Sequence, residues 1–203
     1  LARVRPVPSY IMDPAVLPQA ARVEQIVANG GWDQREREDV LGASPPYNMP
    51  LSARKDVLVF QTEPLERDTE VTGPLEVNLW VSSDAPDTDF TATLVDIHPD
   101  GRAILITEGA VRTRFRDSVE KPTLLTPGNV YEVDIPMWET SNVFKAGHRI
   151  RLEVSSSNFP RFDRNLNTGK DYGKDGEIRV ANQTVYHSRE YPSHVLLPVV
   201  PAS

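Results

Sequence analysis

The sequence predicts an all-β protein, most simply a two-sheet jelly roll. Short apolar runs recur at regular spacing from about residue 55 onward, with turn signals between them. No convincing long helix follows residue 30, and neither an internal repeat nor a low-complexity segment is present. The 18 prolines are nearly twice the usual share of roughly 5%, which suits strand edges and turns better than helices.

The clearest strand covers residues 149–155, where polar and apolar side chains alternate. This alternation places Ile150, Leu152 and Val154 on one face of the strand. The chain then breaks at Phe159-Pro160 and continues with polar residues. A buried strand therefore delivers a long polar loop to one end of a sheet, which is where β scaffolds usually place binding surfaces.

A second alternating segment predicts another strand with one inward face. Leu75, Val77, Leu79 and Val81 alternate with polar residues, whereas Trp80 falls on the opposite face and needs its own cover. Further turn and strand signals complete a set of eight or nine strands. They are a hairpin of residues 90–98 and 102–115 around Pro99-Asp100-Gly101, a turn at 126–129, and strands near 56–61, 130–137, 177–186 and 194–200.

The organisation changes near residue 54. Prolines at positions 6, 8, 14 and 18 break residues 1–53, in which only 19–28 could hold a short helix, so we interpret this part as an irregular connector. A connector of this length is expected to lie on a partner surface. Residues 54–203 are predicted to form the jelly-roll domain. Leu1 in place of Met suggests an excised domain or a processed fragment.

Composition excludes several classes of site. The absence of cysteine rules out disulfides, thiolate zinc sites and a thiol nucleophile. A formal charge of −7 argues against nucleic acid as a partner. No apolar run approaches the roughly 18 residues that span a membrane, so no membrane partner is predicted, and no signal peptide is visible. The compartment stays open, with the cytoplasm favoured.

No catalytic residue is predicted. A serine hydrolase of the α/β type needs a G-x-S-x-G nucleophile elbow, and the nearest string has prolines after Ser44. His98 is interpreted as a strand-end or turn residue and His148 as a packed, hydrogen-bonded residue; His187 and His194 lie near the C-terminal strand. No H-E-x-x-H or histidine pair at ligand spacing suggests zinc, so neither a metal nor another cofactor is predicted.

The acidic run at Asp84, Asp87 and Asp89 is considered as a calcium site. Clustered carboxylates on a loop of a β-sandwich can bind this ion. However, the run lacks the spacing of a calcium loop with a distal bidentate glutamate. We therefore expect the aspartates to cap a loop by accepting hydrogen bonds from their own backbone.

The polar loop after residue 157 allows three interpretations. Its aromatic rings could stack on sugar faces, its charges could form an interface with a neighbouring domain, or it could be a solvated loop held by asparagines. For the interface, Arg161 and Arg164 would pair with Asp163 or with carboxylates of that domain. The loop residues considered are Asn158, Phe159, Arg161, Phe162, Asp163, Arg164 and Asn165.

Four blocks in order resemble the C-terminal domain of the cocaine esterase/X-prolyl dipeptidyl-peptidase family of serine hydrolases. They are residues 54–74, 82–103, 141–169 (including SSSNFPRFDRNLNTG) and 191–200. The resemblance implies a jelly-roll, galactose-binding-domain-like β-sandwich that is not catalytic itself. It also implies a Ser-His-Asp triad on a separate α/β-hydrolase domain of the same protein, which would cleave esters, amides or X-Pro peptides.

The resemblance also ranks the interpretations of the loop. It favours the interface with the α/β-hydrolase catalytic domain, and a homo-oligomer is a further possible assembly. In the family the beginning of the domain lies near the active-site mouth, which implies a pocket-bordering role for Trp32. The alternatives are a free-standing carbohydrate- or ligand-binding jelly-roll module and, third, a self-contained hydrolase with a dispersed triad.

Overall fold

The computed structural model describes residues 10–12, 56–158, 161–171 and 176–201. These residues form β-strands and one short 3-10 helix, Thr113–Phe115, so the all-β prediction is confirmed. No helix in this described part is long and apolar enough to cross a membrane. The strands are β1 (Tyr10–Met12), β2 (Leu58–Gln61), β3 (Thr69–Ser83), β4 (Asp89–Ile97), β5 (Ala103–Arg112), β6 (Tyr131–Phe144), β7 (Arg149–Ser155), β8 (Ala181–Tyr186) and β9 (His194–Leu196).

Two antiparallel sheets pack face to face. The larger sheet has the order β1-β8-β3-β6, with β9 also pairing with β3; the smaller one has the order β2-β7-β4-β5. Neighbours in each sheet are mostly not consecutive in the chain, because successive strands cross between the sheets. Such crossing is typical of a jelly roll and confirms the predicted sandwich.

The core lies between the sheets, where the alternating apolar residues of each strand meet. On β3, Leu75, Val77, Leu79 and Val81 are all at most 3% exposed, as their spacing predicts. Hydrophobic residues from both sheets complete the core; they include Phe90, Ala92, Leu94, Val133, Ile135, Met137, Phe144, Leu152, Val154 and Val185.

The outer face of β3 has a separate cover over Trp80. The indole ring lies 5.3 Å from the ring of Tyr191, centroid to centroid, and the Tyr191 ring lies 5.3 Å from that of Tyr186. The Trp80 backbone N–H donates to Ser193 Oγ at 2.8 Å. The segment between β8 and β9 therefore supplies the cover that the sequence pattern requires.

The predicted hairpin is present as β4 and β5. The Gly101 N–H donates to the carbonyl oxygen of His98 at 3.0 Å, and Gly101 has φ +89°, a conformation that favours glycine. Farther along β5, Gly109 lets the two sheets approach closely. A Cβ at this position would overlap with the carbonyl oxygen of Pro136 on β6.

β7 matches its predicted bounds, and β6 does not. The sequence predicts a strand that ends at residue 137, whereas β6 continues to Phe144 because residues 140–144 pair with residues 69–73 of β3. The added segment, residues 138–143, has no regular apolar alternation, so its strand conformation follows from tertiary pairing.

Part of the predicted connector lies on the sandwich. The β1 strand pairs antiparallel with β8, in the register Tyr10 with Gln183 and Met12 with Ala181. The proposed boundary between residues 53 and 54 stays a prediction, and the short helix considered at 19–28 lies outside the described residues.

Candidate functional site

The polar loop that follows β7, called the β7–β8 loop (residues 156–180), is anchored on two buried aspartates. Asp89, at the start of β4, receives two parallel bonds from Arg112 of β5, at 2.9 Å from Nε and 3.0 Å from a terminal nitrogen. Asn165 of the loop donates its side-chain amide to the same carboxylate at 2.8 Å. This bidentate geometry is the strong, directional form of an arginine–carboxylate pair.

Asp87 forms the second anchor. Its side chain is fully buried, and one carboxylate oxygen accepts bonds from the Thr113 hydroxyl and the Arg114 backbone N–H, both at 3.0 Å. The other oxygen accepts from Arg114 Nε at 2.8 Å and from the Asn165 amide at 3.0 Å. Asn165 thus bridges Asp87 and Asp89 and fixes the loop to the end of the four-stranded sheet.

These contacts differ from the local caps expected for the acidic run. Asp87 and Asp89 accept bonds from guanidinium groups and other side chains, rather than capping their own backbone as expected. Asp84 accepts from the backbone N–H of Asn182 at 2.9 Å. Arginines therefore supply the positive charge that calcium would otherwise bring to Asp87 and Asp89.

Burial and pairing act in opposite directions on this ion pair. Burial raises the pKa of the Asp89 carboxyl, while the bonds from Arg112 and Asn165 oppose that rise. The bonds from Asp89 raise the pKa of Arg112 above its already high ordinary value. The guanidinium therefore stays charged at any physiological pH, and its two parallel bonds hold it against the Asp89 carboxyl group.

A second carboxylate, Glu108 of β5, holds the outer part of the loop. Arg161 Nε lies 2.6 Å from its Oε1, and the Asn158 amide donates to its Oε2. Asp163 approaches Arg112 at 3.4 Å. The guanidinium carbon of Arg161 lies over one face of the Phe162 ring, 5.9 Å from its centroid, at the outer limit of a cation–π contact.

The backbone of the loop is fixed by a local asparagine bond. The Asn167 N–H donates to Asn165 Oδ1 at 2.9 Å, and the Asn167 amide donates to the carbonyl oxygen of Arg179 at 2.9 Å. Asn167 has φ +61°, a left-handed conformation that asparagine tolerates better than most residues. Asparagines therefore hold the described part of the loop, as the third interpretation expects.

Six of the eight predicted site residues lie in the described part of this one loop. Phe159 and Trp32 fall outside the described residues, so their predicted roles stay predictions. Sequence reasoning missed the anchors on the strands, since nothing in a single sequence shows which strands meet beside the loop. The six residues are Asn158, Arg161, Phe162, Asp163, Arg164 and Asn165; the missed anchors are Glu108, Arg112 and Arg114, together with the buried roles of Asp87 and Asp89.

The histidines at the other end of β4 match their interpretation. His98 belongs to the hairpin turn, and the His148 side chain is 12% exposed with Nδ1 2.9 Å from Asp96 Oδ1. This pair resembles two parts of a hydrolytic triad, but the serine hydroxyl that borders the same pocket, Ser141, lies 3.1 Å from the Thr72 hydroxyl.

The fold and the anchored loop define an accessory β-sandwich domain, in which the arginine–aspartate site stabilises a surface. A family model supplies the specific relationship: the chain belongs to the X-Pro dipeptidyl-peptidase C-terminal non-catalytic domain family, which matches residues 18–196. The family resemblance stated from the sequence is confirmed.

Three relatives illustrate the relationship. The chain is 49% identical over 158 residues to the cocaine esterase of Rhodococcus sp. (strain MB1 Bresler), a match that covers 77% of this chain and 28% of that protein. An aminopeptidase structure from a marine sediment Thaumarchaeota archaeon has a TM-score of 0.80 at 27% identity, over 99% of this chain and 34% of that one. An α-amino acid ester hydrolase gives a TM-score of 0.77 at 28% identity, over 98% and 33%.

Proposed function

We propose that this chain is the C-terminal supporting domain of a serine hydrolase that cleaves esters, amides or X-Pro peptides. In this proposal a separate α/β-hydrolase domain of the same protein carries the Ser-His-Asp triad. One observation carries the proposal: a chain from a non-catalytic domain family spans only 28–34% of relatives that are named an esterase, an aminopeptidase and an ester hydrolase.

The β7–β8 loop is the surface that we propose for docking onto the catalytic domain. The Arg161 and Asp163 side chains are 52% and 50% exposed, so opposite charges face outward from an anchored base. Leu124, which is 49% exposed, lies beside Gly169 of the loop and adds an apolar contact. An apolar residue with a charged rim on a preorganised loop is what an intramolecular interface needs.

Docking at this loop would place the sandwich against one side of the active site. In that arrangement the anchored loop fixes the orientation of the domain, and Phe159 and Trp32 would border the substrate pocket. The pair Asp89–Arg112 then acts through the loop, because it holds the shape of the interface without touching the substrate.

The proposal that a separate domain carries the catalytic serine is tested with a fluorophosphonate probe, which labels activated serines. We expect the full-length protein to be labelled and the isolated 203-residue chain to stay unlabelled under the same conditions. Stoichiometric labelling of the isolated chain would overturn the proposal that its chemistry resides elsewhere.

The docking surface is tested in the full-length protein with the double variant Arg161→Ala, Asp163→Ala. Each exposed charge contributes up to about 1 kcal/mol, so removing both can weaken docking by up to about thirtyfold. We expect the temperature at which activity is lost to fall by more than the unfolding temperature of the isolated chain, which also falls because Arg161→Ala removes a partner of Glu108. The matched control is Lys145→Ala with Asp68→Ala, an exposed ion pair away from the loop. Equal effects of the two double variants would contradict docking at the loop.

A further inference from the structure

The far end of β4 brings together three side chains with metal-ligating atoms. Ile97, the last residue of β4, lies opposite Arg149, the first residue of β7. Because the two strands are antiparallel, His98 directly after β4 lies opposite His148 directly before β7. Asp96 lies two residues before His98 and therefore points to the same face of the sheet. Among the described residues, Asp96, His98 and His148 form a group of three side chains whose ligating atoms are close enough to hold one metal ion.

The distances between the ligating atoms match the spacing around one ion. His148 Nδ1 lies 2.9 Å and 3.1 Å from the two oxygens of Asp96, and His98 Nε2 lies 3.5 Å from Asp96 Oδ2. All of the ligating atoms lie within 4.8 Å of one another. Metal–ligand bonds of about 2.0–2.2 Å place neighbouring ligand atoms about 3.3 Å apart in a tetrahedral site.

The backbone at both histidines and the contact between the His148 and Asp96 side chains are in place before any ion binds. The His98 backbone N–H donates to Arg102 at 2.8 Å, and that of His148 donates to Lys145 at 3.0 Å. The two imidazole rings lie 4.2 Å apart, and Asp96 is 6% exposed. Ordering these groups therefore costs little when an ion binds.

Two cationic side chains border the pocket, and both are paired with other carboxylates. Arg102 Nε contacts Asp100 at 2.8 Å, and Lys145 Nζ contacts Asp68 at 2.6 Å. Their charges are thus partly neutralised, which leaves the Asp96 carboxylate available to a cation at this end of the sheet. The pocket opens to solvent, so water or a small ligand can complete the coordination.

We infer that Asp96, His98 and His148 form a binding site for a divalent transition-metal ion. Two imidazoles and one carboxylate suit Zn²⁺, Co²⁺ or Ni²⁺ better than Ca²⁺ or Mg²⁺, which prefer all-oxygen sites. The bound ion would tie the β4–β5 hairpin to the turn between β6 and β7. The site lies about 26 Å from the start of β4, given the rise per residue of a strand, so it is independent of the proposed docking loop.

The test uses the 203-residue chain, freed of metal with a chelator and titrated calorimetrically with ZnCl₂. We expect one Zn²⁺ per chain, a rise in Tm on saturation, and a visible absorption spectrum when Co²⁺ is used instead. Asp96→Asn, His98→Gln and His148→Gln should each weaken Zn²⁺ binding at least tenfold, because each removes one of three ligands. Far-UV circular dichroism checks that each variant remains folded.

The matched controls are the other two histidines of the chain, His187→Gln and His194→Gln, which should leave Zn²⁺ affinity unchanged. The inference fails if Zn²⁺ produces no saturable heat and no shift in Tm. It also fails if binding persists in the folded His98→Gln and His148→Gln variants, or if the control variants abolish it.

Discussion

The two ends of β4 each bury an aspartate, and they give it different partners. At the first end, Asp89 is held by the guanidinium of Arg112. At the other end, Asp96 faces the imidazoles of His98 and His148. Both carboxylates are less than 10% exposed, so the partner and not the burial distinguishes the two ends.

The comparison shows that the basic residue paired with a buried carboxylate determines whether the pair can bind a further ion. Arg112 has no lone pair to offer and keeps its charge, so it can hold Asp89 only as a hydrogen-bond donor in a structural contact. Imidazoles can be neutral and then present a lone pair, so the group around Asp96 can accept a proton or a metal ion. One strand therefore carries a fixed anchor at one end and an exchangeable site at the other.

The largest effect is expected from Asp89→Asn, which removes the charge but keeps the shape. Arg112 would keep only the longer contact with the exposed Asp163 in a mostly buried position, which should cost about 3 kcal/mol of unfolding free energy. Urea unfolding measures this loss. The control Asp163→Asn removes an exposed partner of the same guanidinium and should cost less than about 1 kcal/mol. Similar losses for both variants would mean that burial does not strengthen the Asp89 pair.

An intermediate effect is expected from the same substitution at the other end, Asp96→Asn. With a chelator present, neutral imidazoles can still form hydrogen bonds with the amide, so the cost should be about 1 kcal/mol. Urea unfolding under identical conditions gives the comparison with Asp89→Asn. A larger loss for Asp96→Asn than for Asp89→Asn would reverse the proposed ranking of the two ends.

The smallest effect is a pH dependence near the histidine end. Bonds from Lys145 and from the Ala146 backbone N–H lower the pKa of Asp68 below its ordinary value of 3.8. A lowered folded-state pKa stabilises the fold above the unfolded value, and this contribution is lost as the pH falls through the folded value. The urea midpoint of the original chain should therefore exceed that of Asp68→Asn at about pH 6. The difference should vanish well below the ordinary value; a difference that persists there would show that Asp68 does not act through its charge.

Local patterns were sufficient for much of the fold. The alternation at residues 149–155 and the Pro99-Asp100-Gly101 turn predict β7 and the β4–β5 hairpin, since strand period and turn conformation depend on neighbouring residues. The second half of β6 was missed because its polar residues become a strand only by pairing with β3.

The candidate site was likewise predicted only in part from the sequence. Residue types identified the polar loop that contains Asn165, and they did not identify the arginines that anchor it. The interpretation of His98 as a strand-end or turn residue, and of His148 as a packed, hydrogen-bonded residue, was sound for each one alone. Their approach depends on the register of β4 with β7, and the only local hint was the spacing of Asp96 and His98 on one face of a strand.

The order of residues alone determined the class of fold and the position of the polar loop, because alternation and turn chemistry act between residues close in the chain. Tertiary structure decided which charged side chains meet, because residues such as Asp87 and Asn165 are separated by many positions and touch only when strands from distant parts of the chain pair. That pairing assigned arginine to one buried aspartate and histidine to the other, and so determined what each end of the strand can bind.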